Sequence, residues 1–240
     1  MCEVPPCNPM LAEARPATPD TSSLPVTDSA NWPEVYAVLA VGIFPSLFVA
    51  LASLGQPDPQ LAYWSDALQL TGLSACTIFV TLYLISRSGE AWARFGLERL
   101  CFSDLIFGFA MLFVAVAVLL VELRWRFVFG DPLPTDFKGP RGSSECTMMV
   151  VKLLIAAFAE ELVTRAYLIT RLEVLLHSHW SALVLSSLAF ASYHIYQGMS
   201  GAFFAFVFGL AFGGVYVVMR NVWPLVFGHA MYNMLVELSY

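Results

Sequence analysis

Charge is what this sequence has least of. Only 12% of its 240 residues are Asp, Glu, Lys or Arg, and the net charge is −6. Its 12 basic residues are scattered, so no patch could track phosphates and nucleic acid is not expected as a partner. Metal and thiol motifs are missing too. The five cysteines, Cys2, Cys7, Cys76, Cys101 and Cys146, never fall in CxxC spacing, which implies neither a disulfide framework nor a zinc ribbon. HExxH, the signature of helical zinc proteases, does not occur. GxSxG does not occur either, and no serine has a carboxylate and a histidine at suggestive spacing, which argues against a serine intramembrane protease. The amino terminus has no basic segment followed by an apolar one, and Cys2 has no lipobox. A cleavable signal peptide is therefore not expected, and the first apolar span would act as the insertion signal.

Apolar residues fill the space that charge leaves. Hydrophobic residues make up 58% of the chain and the mean hydropathy is +0.70, values of an integral membrane protein rather than a soluble domain. At about 20 apolar residues per crossing, the expected fold is all-α, a polytopic transmembrane helical bundle of about seven spans. They fall near 33–55, 62–86, 103–123, 148–171, 180–197, 200–219 and 222–239. All six tryptophans, Trp32, Trp64, Trp92, Trp125, Trp180 and Trp223, lie at or near a proposed span end, where indole prefers the headgroup region.

Composition divides the chain into three parts. Residues 1–32 hold six of the 14 prolines with many Ser, Thr and acidic residues, and read as a disordered polar tail. Residues 33–147 carry the amino-terminal spans with two irregular pieces. GEAWARFGLERL, 89–100, suits a short interfacial helix, and its arginines favour the cytoplasmic side. By alternation the amino terminus would then be inside and the carboxy terminus outside. Residues 124–147, rich in Gly and Pro, read as a loop. Residues 148–240 form the third part. Within it GLAFG, 209–213, is a small-xxx-small pattern for close helix approach, with Gly214 extending it.

The third part holds polar residues at membrane depth. In the fourth span Lys152 and Arg171 bracket an apolar run, and Glu160 lies about 12 Å along the axis from Lys152. An unpaired charge there costs at least about 3 kcal/mol, so Glu160, Glu161 and Arg165 must face protein or water. Glu161 and Arg165, at i and i+4, form an ion pair; Glu160 is rotated about 100° away, with Thr164 at its own i+4 position. One carboxylate is thus paired and the other is available as a general base. FASYH, 190–194, adds His194 with Phe190 on the same helical face, and HAMYN, 229–233, adds His229 and Asn233 on one face of the last span. A carboxylate, two imidazoles and an amide suit hydrolysis, in which a base activates water and donors hold the oxyanion. His177 and His179, in HSHW, form an H-x-H that reads as surface residues rather than a metal site.

EELVTR (160–165), FASYH and HAMYN, in that order, resemble the EExxxR, FxxxH and HxxxN/D motifs of the CPBP family, the intramembrane endopeptidases that include the type II CaaX prenyl proteases. The resemblance covers about 148–240. It implies that Glu160 is the catalytic base, that His194 helps position the water, that His229 and Asn233 stabilise the oxyanion, and that Glu161 and Arg165 support the site. It implies no cofactor in the glutamate mechanism; in the metalloprotease version Glu160, His194 and His229 would be the zinc ligands. The substrate would be a membrane-anchored protein or peptide in the lipid bilayer, in the endoplasmic reticulum of a eukaryote or the plasma or inner membrane of a bacterium. Two other readings use the same buried Glu, His and Arg: a proton-coupled transporter, for which no internal repeat is visible, and a non-catalytic scaffold, which would be expected to have lost a motif.

Overall fold

The computed structural model describes residues 31–47, 63–132 and 139–239, without the side chain of Ser65. The tail expected over 1–32 falls almost wholly outside them, as does the second half of the first span. Among the described residues the fold is all-α, and a helical segment stands at each of the seven expected spans.

Helix α1 runs Trp32–Leu47. Asn31 caps it by accepting from the Glu34 amide at 3.0 Å, and Pro33 sits in the first turn, where its missing N–H costs nothing. α2 is Tyr63–Arg87 and α3 is Phe102–Phe129. α3 outlasts the expected span because Arg126, buried near its end, pairs with Glu122 one turn earlier, and Gly130 stops it at φ 68°. α4 begins at Gly142, so only 130–141 separate the two helices and the loop expected over 124–147 is about half that length.

α4 (Gly142–Glu161) passes into an eight-residue π-helical segment, Leu162–Ile169, and then into α5 (Thr170–Leu176). α6 (His179–Ser192) starts on a Ser178 cap, and a turn and a 3-10 segment, Ile195–Gln197, lead into α7 (Gly198–Met219). α8 is Trp223–Glu237. Three stretches, Asp66–Arg87, Phe102–Phe129 and Ile195–Met219, are long and apolar enough to cross a membrane alone. α6 and α8, at 14 and 15 residues, are shorter than the roughly 20 a lone span requires. α6 keeps an exposed apolar face but turns Ser186 and Ser187 inward, and α8 buries His229 against the bundle, so protein rather than lipid meets these polar side chains.

The interfacial helix expected over 89–100 reduces to one 3-10 turn, Trp92–Phe95, closed by Gly96 at φ 68°. This segment docks on the start of α8: the Val222 amide donates to Gly96 O at 3.1 Å and the Trp223 indole N–H to Glu98 O at 2.7 Å. Lys152 and Arg171 do not reach headgroups as bracketing charges would. Lys152 pairs with Glu237 at 2.8 Å, and the fully buried Arg171 pairs with Glu90 beneath Phe95. Cys101 is disulfide-bonded, which the cysteine spacing did not signal, while Cys76 and Cys146 are free.

Glycines set two close helix approaches. In GLAFG, a Cβ on Gly209 would lie 3.0 Å from Ser187 Cβ and one on Gly213 2.5 Å from Leu183 Cδ1, so the pattern seats α7 against α6; Gly214 faces open space and does not extend it. α3 and α8 meet at Gly108 and Gly228. A Cβ on Gly228 would lie 2.5 Å from Met111 Cβ and 3.0 Å from Gly108 O, backbone that cannot swing aside. Gly228→Ala is therefore expected to cost about 1–3 kcal/mol of overpacking, read as a lower unfolding temperature in detergent. Gly72→Ala, which meets nothing within 4 Å, is the control, and equal melting of the two variants would refute the tight approach.

Candidate active site

Glu160 and Glu161 occupy the last two positions of α4, where the helix widens into the π segment. Such segments shift the side-chain register and often sit at functional sites. All eight π residues are buried. The Thr164 hydroxyl donates to Glu160 O at 2.5 Å, and the Ser186 hydroxyl of α6 donates to Thr164 O, so hydroxyls bind carbonyls around the change of helix type.

The two carboxylates have different surroundings. Glu161 is fully buried and bound twice: Arg165 Nε lies 3.2 Å from Oε2 and His229 Nδ1 lies 2.7 Å from Oε1. The expected i, i+4 pair is thus present, with His229 as a third member. Arg165 is held over the Phe190 ring at 4.5 Å and donates to the Thr164 hydroxyl at 2.5 Å. Phe190, Phe208 and Phe212 wall the His229 ring, with centroids 6.0, 5.0 and 6.1 Å away. Glu160 is 26% exposed, and His229 Nε2 lies 3.7 Å from its Oε2. Its side chain lines a cavity between α1, α2 and α4, whose wall includes Ile43, Leu70, Ser74 and Thr77.

His194 reaches the site by a different route from the expected one. α6 ends at Ser192, so His194 does not share a helical face with Phe190; it bends back, and Nδ1 donates to Phe190 O at 2.8 Å. A carbonyl only accepts, so this bond places the proton on Nδ1 and leaves Nε2 as an acceptor. Asn233 follows His229 by one turn of α8, half-buried, and its carboxamide makes no hydrogen bond among the described residues. Glu160, Glu161, Arg165 and His229 thus form one direct cluster, His194 joins it through Phe190, and Asn233 stands one turn beyond.

Among the described residues no three His, Cys, Asp or Glu side chains are grouped to hold a metal ion. Of the set Glu160, His194 and His229, the two imidazoles have Nδ1 engaged, by Phe190 O and Glu161, so each would present Nε2. His179 Nδ1 contacts Glu173 at 2.9 Å on the surface, in keeping with the surface reading of HSHW.

Two positions that motif reading passed over matter here. Arg126, 3% exposed, donates to Gln197 O at 3.1 Å and to Pro132 O at 2.7 Å, tying the turn after His194 to the end of α3. Tyr193, 7% exposed, lines the cavity beside Glu160. The first gave no sequence signal; the second lay inside FASYH but off its helical face.

No curated protein and no solved structure matches this chain. Residues 142–235 match the family model described as type II CAAX prenyl endopeptidase Rce1-like, and that stretch runs from the first residue of α4 almost to the end of α8, carrying EELVTR, FASYH and HAMYN together. The helices around residues 142–235 are those of an integral membrane protein, and this segment, well under half of the chain, is similar to the type II CAAX prenyl endopeptidases of the CPBP family.

Proposed function

We propose that this protein cleaves a peptide bond near the carboxy terminus of a membrane-anchored, CaaX-type protein, using water activated by Glu160 and no bound metal. The observation that carries the reading is the division between neighbouring carboxylates: Glu161 is committed to Arg165 and His229, whereas Glu160 alone of the pair reaches the cavity. The cavity's mixed lining of Ile43, Leu70 and Leu73 with Ser46, Ser74 and Thr77 suits an extended peptide with an apolar neighbour.

The chemistry then assigns a task to each group. Water donates one hydrogen bond to Glu160 and the other to His194 Nε2, the free acceptor. As the water oxygen bonds to the carbonyl carbon, its proton passes to Glu160. The carbonyl oxygen becomes an oxyanion, held by His229 and the unengaged Asn233 carboxamide. With Nδ1 donating to Glu161, His229 donates from Nε2 only when the ring carries both protons, and Glu161 is the counter-charge for that form. On collapse the C–N bond breaks and the proton on Glu160 goes to the leaving amine, restoring the carboxylate.

The test is to incubate detergent-purified protein with a prenylated CaaX peptide and its unprenylated twin, before and after long dialysis against a strong chelator. Cleavage of the prenylated peptide, equal after dialysis, is expected. Activity lost on chelation and restored by zinc alone would overturn the metal-free mechanism, and cleavage of neither peptide would overturn the substrate class. Added zinc that inhibits would not count against it, because excess metal can occupy the same Glu and His side chains.

A further inference from the structure

We propose that Tyr193 is a positioning residue of this site, its hydroxyl hydrogen-bonding the Glu160 carboxylate and aiming it at the bound water. The proposal rests on the reading of Glu160 as the base.

The backbone explains how the side chain arrives there. In an α-helix consecutive side chains diverge by about 100°, so Tyr193 and His194 could not serve one site from an unbroken α6. The helix ends at Ser192, and both residues adopt the sparsely used bridge conformation, Tyr193 at φ −87°, ψ 0° and His194 at φ −90°, ψ 4°. The two rings then lie side by side, centroids 4.6 Å apart, with Tyr193 edge-on to Phe190 at 5.5 Å. Packed this way, Tyr193, 7% exposed, lines the same cavity as Glu160.

The hydroxyls of Ser46, Ser74 and Thr77 share the cavity lining, but Glu160 offers the phenol a charged acceptor. Phe190 and His194 present ring faces or edges, and the cavity wall opposite is formed by α1 and α2. A hydroxyl enclosed in this cavity needs a partner, and Glu160 is the charged side chain among the residues described as lining it. A carboxylate that accepted from Tyr193 on one oxygen, with His229 3.7 Å from Oε2, would have its rotation fixed from both sides. A base held this way needs less rearrangement to reach the water.

The experiment compares Tyr193→Phe, Glu160→Gln and the double variant on one cleavable peptide. Tyr193→Phe keeps the ring contacts, so melting should match wild type. It should lower kcat on the order of 10–100-fold, the range set by one hydrogen bond to a charged group, with KM nearly unchanged. Combined with Glu160→Gln it should cause no further loss, because the hydroxyl acts through that carboxylate. Wild-type kcat in Tyr193→Phe, or a change confined to KM, would overturn the assignment while leaving Glu160 as base. Full activity in Glu160→Gln would instead remove the reading on which the proposal rests.

Discussion

Glu160→Gln should yield a protein that inserts and melts like wild type and turns over its substrate about 10²–10⁴-fold more slowly. The size follows from removing a general base, which contributes roughly 10²–10⁴-fold, in a site where the neighbouring carboxylate is engaged elsewhere. Stability should hold because the substitution preserves shape and breaks no close ion pair: the nearest imidazole nitrogen, His229 Nε2, is 3.7 Å away and the side chain is 26% exposed. Thr164 bonds to the backbone oxygen of residue 160, not to its carboxylate, so the entry to the π segment is untouched. Turnover and thermal unfolding measured on one preparation check both halves. A variant with wild-type turnover would show that the base lies elsewhere.

How much of this was legible in the sequence depends on the range of the interaction. Spans were legible because bilayer thickness fixes their length, and tryptophans marked their ends: Trp32, Trp64, Trp92, Trp125 and Trp180 are all at least 40% exposed. The Glu161–Arg165 pair was legible because i, i+4 geometry survives the change of helix type after Glu161. Contacts between distant segments were not. Arg171 and Lys152 looked like span ends because nothing local reveals that Glu90 and Glu237 fold back to meet them. The third arm of the Glu161 cluster, from His229, joins residues 68 apart and carries no periodic signal. Irregular backbone hid the rest. A wheel drawn through FASYH puts Phe190 and His194 together and Tyr193 aside, but the helix stops two residues short of His194. The loop after α3 was overestimated because the Gly and Pro of 130–142 set its length, while the contacts that bury Arg126, from Glu122, Asp131 and two carbonyls, leave no local pattern.

Glu161→Gln is expected to do the opposite of its neighbour's substitution and to unfold the protein more readily. Its carboxylate serves two partners, Arg165 at 1% and His229 at 4% side-chain exposure, and glutamine leaves the guanidinium without a counter-charge and the imidazole without its carboxylate in an apolar wall. Breaking a buried pair from one side costs on the order of 3–5 kcal/mol, which for a chain of this size lowers the melting temperature by about 6–20 °C. Activity should fall as well, since His229 loses the contact that orients its ring toward Glu160. The double variant Glu161→Gln, Arg165→Met separates the two effects. Removing the stranded guanidinium, whose other supports are the Phe190 ring and the Thr164 hydroxyl, should recover much of the stability, because a buried pair replaced whole is tolerated far better than one cut in half. It should not recover turnover, because the imidazole is still without its anchor. Differential scanning fluorimetry in detergent beside a peptide-cleavage assay reads both quantities. A Glu161→Gln protein that melts like wild type yet is inactive would exchange the roles of the two carboxylates, making Glu161 the base and Glu160 its support.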